Sequence, residues 1–131
     1  MKKILLFILF AICSKVSFSQ SRIGYSESEI REEFWESYYH FVSDYDKNGN
    51  YYSAMTTNLA TVFYYYNSDK ECVMTFIVPN NQGALNTIVE LYNKQYVIVS
   101  PTKWKMYAKY GVCEIELVYK EEGKYYFKWS I

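Results

Sequence analysis

The sequence predicts an α+β fold, in which a single antiparallel sheet of about six or seven strands has two helices packed on one face. Two kinds of pattern predict it. Apolar residues recur at helical spacing in two segments, and apolar and polar residues alternate with a period of two in several others. Strands that alternate in this way have one polar side, so we expect one face of the sheet to be covered by the helices and the other to face solvent.

The first helix is predicted for residues 27–42. Ser26 and Glu29 have the spacing of a capping box, in which each side chain accepts a hydrogen bond from a backbone N–H at the helix start. Apolar and aromatic residues then recur at helical spacing as far as Phe41. His40, the only histidine in the sequence, would lie near the end of this helix, where histidine often contacts terminal carbonyl groups.

The other elements follow in chain order. Segments rich in aromatic and β-branched residues predict strands, and the short turns between them predict hairpins. Leu85, Ile88 and Tyr92 form an apolar stripe that predicts a second helix over residues 83–93. The predicted strands span residues 51–56, 59–67, 71–78, 103–109, 112–120 and 124–131.

The order of elements also predicts a tandem helix-hairpin repeat. Each half of the chain reads as a helix followed by a strand hairpin, and residues 71–76 match residues 112–117 in their pattern of side chains. This order is similar to the tandem helix-plus-sheet architecture of secreted β-lactamase-inhibitor proteins. The resemblance implies a binding role.

The N-terminus has the pattern of a secretory signal peptide. A basic start precedes an apolar run and then small residues at the −3 and −1 positions of a cleavage site near Ser19–Gln20. In the alternative, Cys13 of a lipoprotein signal is lipidated, but Ile12 stands where such a signal needs a small side chain. We therefore expect residues 1–19 to be cleaved and residues 20–131 to form a single small α+β domain, exported to the periplasm or secreted.

The charge of the predicted mature chain excludes some partners. Three of the 14 basic residues lie in the leader and none of the 14 acidic residues does, so the remainder carries an excess of negative charge. This balance argues against binding to nucleic acid and against a basic membrane-binding surface. The sequence after the leader has no apolar run long enough to span a membrane as a helix.

All 16 tyrosines lie after the leader, and they predict a binding surface. Tyrosine offers a large rigid ring with a polar tip, which suits contact with a protein, a peptide or a sugar. If Phe63 and Tyr65 point into the core, their neighbours point outward. The candidate binding residues are then Tyr64, Tyr66, Tyr107 and Tyr126. In the alternative interpretation, these rings form cross-strand pairs that only stabilise the sheet.

Two further motifs concern metals and disulfides. Asp44, Asp46 and Asn48 match the start of a calcium loop, but Met55 stands where the loop needs a bidentate glutamate, and an ordinary polar turn uses the same residue types. Cys72 and Cys113 lie on the predicted core face, where they could form a disulfide worth roughly 3–4 kcal/mol or remain buried thiols. No cofactor is predicted, and two cysteines with one histidine are a poor zinc site.

No catalytic constellation is evident. His40 has no nucleophile motif beside it, and Glu114 and Glu116, the best-spaced acids, are expected to face lysines on neighbouring strands in a stabilising pattern of alternating charge. These lysines are Lys103, Lys105, Lys109, Lys124 and Lys128. We therefore interpret the chain as a non-enzymatic binding module of the cell envelope or exterior, whose partner is a protein, a peptide or a glycan. The alternatives are an envelope hydrolase with an unrecognised acidic site and a calcium-stabilised module.

Overall fold

The computed structural model describes residues 22–34, 40–108, 111–121 and 123–131, so the predicted leader lies outside the described residues. The described chain forms two helices and eight strands. The helices are α1 (Glu27–Glu33) and α2 (Gln82–Gln95), and the strands are β1 (His40–Tyr45), β2 (Tyr51–Thr56), β3 (Ala60–Tyr66), β4 (Cys72–Pro79), β5 (Val97–Ser100), β6 (Lys103–Ala108), β7 (Gly111–Lys120) and β8 (Lys124–Ser130). Neither of these two helices is long and apolar enough to cross a membrane.

The strands form one antiparallel sheet in the order β1-β2-β3-β4-β8-β7-β6-β5. α1 precedes a meander of four strands, α2 leads from β4 to the far edge, and a second meander returns to the middle. There β8 pairs with β4, and Thr75 lies opposite Trp129 and Ile77 opposite Phe127. The predicted α+β class and the single antiparallel sheet with two helices are confirmed, while the described residues contribute eight strands to the sheet rather than six or seven.

The start of the first helix is as predicted, but its predicted end is wrong. The hydroxyl of Ser26 accepts a hydrogen bond from the backbone N–H of Glu29 at 3.2 Å, which completes the capping box. The helix ends at Glu33, and His40 begins a strand instead of lying near the helix end. From His40 onward the side chains alternate between the two faces, and all six residues of β1 pair with β2. This pairing satisfies the backbone and overrides the helical spacing of the apolar residues.

The second helix agrees with its prediction and is followed by a strand that the pattern missed. α2 spans Gln82–Gln95, and the side chain of Asn81 caps it by accepting a hydrogen bond from the backbone N–H of Ala84 at 2.8 Å. β5 then follows almost without a loop. Its three consecutive apolar residues, Val97 to Val99, do not alternate with polar ones, so the period-2 pattern could not reveal it.

Both helices pack on the same face of the sheet, which we call the covered face; the opposite side is the open face. Ile30 of α1 and the apolar residues of α2 belong to one buried cluster with the covered-face side chains. The centre of this core is aromatic: the ring of Tyr92 contacts Trp104, Phe127 and Trp129, mostly edge to face. Such contacts add to the stabilisation that burial of large rings provides.

Candidate functional site

A continuous row of aromatic rings crosses the open face on the neighbouring strands β2, β3, β4 and β8. We call it the aromatic ladder, and its members are Tyr52, Phe63, Tyr65, Phe76 and Tyr126. The register of the strands creates it, because Tyr52 lies opposite Tyr65 and Phe63 opposite Phe76. All five side chains are partly exposed, so the ladder remains accessible on the face that no described helix covers.

The rings of the ladder meet at different angles. Tyr52 and Tyr65 are stacked with their centres 5.4 Å apart. Tyr65 then meets Phe76 at 5.5 Å and 85°, and Phe76 meets Tyr126 at 5.7 Å and 65°. Edge-to-face packing fixes the rings against one another and presents edges and hydroxyl groups to solvent instead of a single flat plane.

Two of the four predicted binding tyrosines lie in the core instead. Tyr64 is 1 % exposed and Tyr66 is 8 % exposed, so the expected direction of the side chains on β3 is wrong. The reason lies in the neighbouring strands. Tyr64 sits between Ser53 and Thr75, and these small buried side chains leave room for its ring on the covered face. Burial also raises the pKa of Tyr64 well above its usual range.

The other two predicted tyrosines, Tyr107 and Tyr126, do lie on the open face. Tyr126 belongs to the ladder. Tyr107 is highly exposed but lies on β6 opposite Val112, and β7 separates it from β8. The structure therefore does not bring the four predicted residues together. The ladder members that the prediction missed are found only with the strand register, because Phe63, Tyr64, Tyr65 and Tyr66 offer aromatic side chains to both faces.

Beyond the ladder the open face is charged. Glu116 lies between Lys103 and Lys128, and Glu114 lies between Lys105 and Ser130. These residues, together with Val99, line a depression of about 370 Å³. Lys103, Lys105 and Lys128 therefore alternate with the two glutamates as expected from the sequence, an arrangement that stabilises an exposed sheet face. Lys124 lies opposite Lys120 instead, and Lys109 lies outside the described residues.

A second depression, of about 400 Å³, adjoins the ladder near the β1–β2 turn. Its lining includes Tyr65 and Phe76 of the ladder, Met74 beside them, and the polar residues Asp46 and Asn50. An apolar floor with a polar edge suits the insertion of an amphipathic side chain from a partner.

The incomplete calcium motif forms the turn between β1 and β2. One oxygen of Asp46 accepts hydrogen bonds from the backbone N–H groups of Asn48 and Asn50, both at 2.9 Å, and the other accepts from the side chain of Asn50 at 3.3 Å. The hydrogen bond from the Asn50 backbone is the main cause that lowers the pKa of Asp46. Asp44 accepts from the N–H of Tyr45 at 2.7 Å. These hydrogen bonds hold the residues as a polar turn, and the described residues contain no cluster of three or more His, Cys, Asp or Glu that could hold a metal.

Cys72 and Cys113 lie on the covered face and are buried, as predicted. Both are thiols in the structure. They belong to β4 and β7, between which β8 runs. Two strand spacings amount to roughly 9.5 Å, whereas a disulfide joins Cα atoms about 4.4–6.8 Å apart. A bond between them would therefore require the sheet to distort.

Comparison with known proteins adds no assignment. No protein-family model matches the chain, no curated protein matches it, and no solved structure matches its fold. Function is therefore inferred from the geometry of the open face.

Proposed function

We propose that the chain is an exported, non-enzymatic binding protein that uses the aromatic ladder on its open sheet face to bind a protein outside the cytoplasm. The observation that carries this proposal is the ladder itself. Five aromatic side chains, three of them tyrosines, remain partly exposed side by side on the face opposite the helices. Contiguous exposed apolar patches on soluble domains commonly mark interaction sites.

The surroundings of the ladder support a protein as the partner. Binding interfaces combine a centre rich in Tyr and other aromatic residues with a polar rim that excludes water. Here Asp44 lies opposite Tyr52, Lys128 lies opposite Phe76, and the ammonium group of Lys120 lies 5.5 Å from the centre of the Tyr126 ring. The depression beside Tyr65 can receive one anchoring side chain of the partner. The varied ring angles suit this contact better than the flat stacking of a sugar.

The topology also favours the predicted tandem repeat. Each helix is followed by a meander of four strands, and the two units meet along β4 and β8 with their helices on the same face. The ladder crosses this boundary, since Phe76 belongs to the first unit and Tyr126 to the second. The binding face is thus shared by both units.

Affinity capture with variants tests the proposal. The bait is residues 20–131 carrying a photo-crosslinking side chain at position 128, at the rim of the ladder, exposed to envelope and culture supernatant. The test variant carries Tyr52→Ser, Tyr65→Ser and Tyr126→Ser. The control variant carries Tyr25→Ser, Tyr45→Ser and Tyr119→Ser, which removes as many exposed or partly exposed tyrosines away from the ladder. Circular dichroism confirms that all baits are folded.

We expect one protein to crosslink to the wild type and to the control but not to the ladder variant. Purified, this protein should bind the wild type at least tenfold more tightly than the ladder variant. If the ladder variant and the control variant lose binding of this protein equally, the ladder has no specific binding role. Binding of the wild type to a glycan array, with no protein captured, contradicts a protein partner, and turnover in a hydrolase screen contradicts a non-enzymatic role.

Export has its own test. We expect full-length protein produced in the source organism to be found outside the cytoplasm with its N-terminus at Gln20. Recovery from the cytoplasm with residues 1–19 intact would contradict the proposal.

A further inference from the structure

We propose that two copies of the chain form a symmetric dimer in which their β5 strands pair antiparallel and join the two sheets into one. This inference is independent of the ladder, because it concerns the edge of the sheet and not its open face. It rests on the unprotected edge at β5, on the self-complementary sequence of that strand and on the protection of the opposite edge.

The β5 edge exposes an unusual run of apolar residues. Val97, Ile98 and Val99 are 51 %, 55 % and 52 % exposed. Among the described residues β5 pairs only with β6, so its other side presents backbone N–H and C=O groups that form no ladder with them. Such an edge is a template for pairing with another strand, and natural proteins protect it with charged residues, a short strand or a bulge. β5 carries no charged residue, so only its length of four residues and its register shift limit pairing along it.

The other edge, β1, is protected in this way. Asp44 places a carboxylate on it, and the guanidinium group of Arg31 lies 5.0 Å from the centre of the Phe41 ring. A second copy paired along β1 would have to pack its side chains beside this carboxylate, and a charged side chain on an edge strand disfavours such pairing. A chain that can pair along one sheet edge and is protected along the other forms a closed dimer. A chain that can pair along both edges would form an open-ended assembly.

The sequence of β5 fits a second copy of itself. When Ile98 lies opposite Ile98 of the second copy, each Val97 lies opposite the other copy's Val99. The two-fold axis then runs perpendicular to the sheet, which keeps all helices on one side and forms β-branched pairs. The register shift between Ile98 and Ser100 limits the matched stretch to these three residues.

The lysines of the neighbouring strand lie far apart in the dimer. They are Lys103 and Lys105 of β6. In the dimer the two β6 strands would be three strand spacings apart, roughly 14 Å. Surface charges at that separation are largely screened at physiological ionic strength, where the Debye length is about 8 Å.

The contact is small, so the dimer is expected to be reversible. Three half-exposed side chains and one short strand provide far less than the roughly 800 Å² per partner of a standard interface. The dimer should therefore exchange with monomer on the micromolar-to-millimolar scale.

Sedimentation velocity of residues 20–131 over a thousandfold range of concentration tests the proposal. We expect the wild type to shift from monomer to dimer. Ile98→Lys should remain monomeric, because the substitution places two ammonium groups opposite each other, and so should Ile98→Glu. An equimolar mixture of these two variants should restore the dimer through opposite charges. Val42→Lys is the matched control, since Val42 is a β-branched residue, 43 % exposed, on the other edge strand; its dimer should be unchanged.

The mixing experiment separates a lost contact from a lost fold, because misfolded variants would not recover when combined. A wild type that stays monomeric at every concentration overturns the proposal. So does a dimer that persists with Ile98→Lys or disappears with Val42→Lys.

Discussion

The buried hydrogen bond between Tyr92 and Trp129 permits a clean test of the core. The indole N–H of Trp129 donates to the hydroxyl of Tyr92 at 3.2 Å, and both residues are 0 % exposed. Tyr92→Phe removes this acceptor and retains the ring that contacts Trp104 and Phe127. The variant therefore loses polar contact at the hydroxyl while its aromatic packing persists.

The expected loss of stability arises because the indole N–H of Trp129 is left without an acceptor. A buried N–H group that loses its acceptor without gaining water costs about 1–3 kcal/mol of unfolding free energy. For a domain of about this size, each kcal/mol lowers the melting temperature by about 4 °C. We expect Tyr92→Phe to melt roughly 4–12 °C below the wild type.

Tyr96, one helical turn later, provides the matched control. Its ring also packs on Trp129, with centres 5.3 Å apart, but its buried hydroxyl has no hydrogen-bond partner among the described residues. Tyr96→Phe removes a desolvated polar atom that gains nothing from the fold, so it should leave stability unchanged or raise it slightly.

Urea unfolding and thermal melting of the two variants beside the wild type provide the measurement. The dependence of unfolding free energy on urea should be the same for all three, because neither change alters the surface exposed on unfolding. The reasoning is refuted if Tyr96→Phe destabilises the protein as much as Tyr92→Phe does, or if Tyr92→Phe has no effect.

Three further predictions concern pH, thiol chemistry and a helix cap. Burial raises the pKa of Tyr64 above its usual range and that of Tyr96 to about 12, from an ordinary value of 10.0, so the folded state favours the neutral phenols. Because these phenols ionise more readily in the unfolded chain, the free energy of unfolding should stay constant in this respect below pH 10 and fall as the pH rises toward 12. Urea unfolding at stepped pH that shows no such fall would contradict this. Cys72 and Cys113 should react with a thiol reagent at pH 8 only after urea is added, because both are buried and burial raises the pKa of the Cys72 thiol; rapid labelling without urea would contradict their positions. Asn81→Ala should cost about 1 kcal/mol by removing the cap of α2, and Asn81→Ser should retain most of the stability; equal melting of all three proteins would contradict the role of the cap.

Six of the eight strands were predictable from the sequence, whereas the direction of the side chains was predictable only where apolar and polar residues alternate. The alternation in β7 and β8 correctly separates covered-face from open-face residues, because apolar and charged side chains differ clearly there. In β3 both sets of alternate positions carry aromatic rings. What decides the direction of Tyr64 is the small size of Ser53 and Thr75 on the adjacent strands, and these neighbours are known only from the register.

The first helix shows a second limit of local patterns. The capping box of Ser26 and Glu29 correctly predicted where the helix begins, since both partners are close in sequence. Its end was missed because His40 to Tyr45 pair with β2, a contact made beyond the next turn. The positions of the ladder residues depend in the same way on pairs between distant strands, and local propensity carries no information about them.

The position of β8 between β4 and β7 has a consequence for the way the protein is made. Until residues 124–130 have emerged from the ribosome, β4 and β7 lack the strand that joins them. The first meander therefore has an unpaired edge throughout synthesis of the second, and only the last strand unites the two. Until β8 pairs with both of its neighbours, the chain exposes unpaired strand edges, so its folding depends on protection from aggregation.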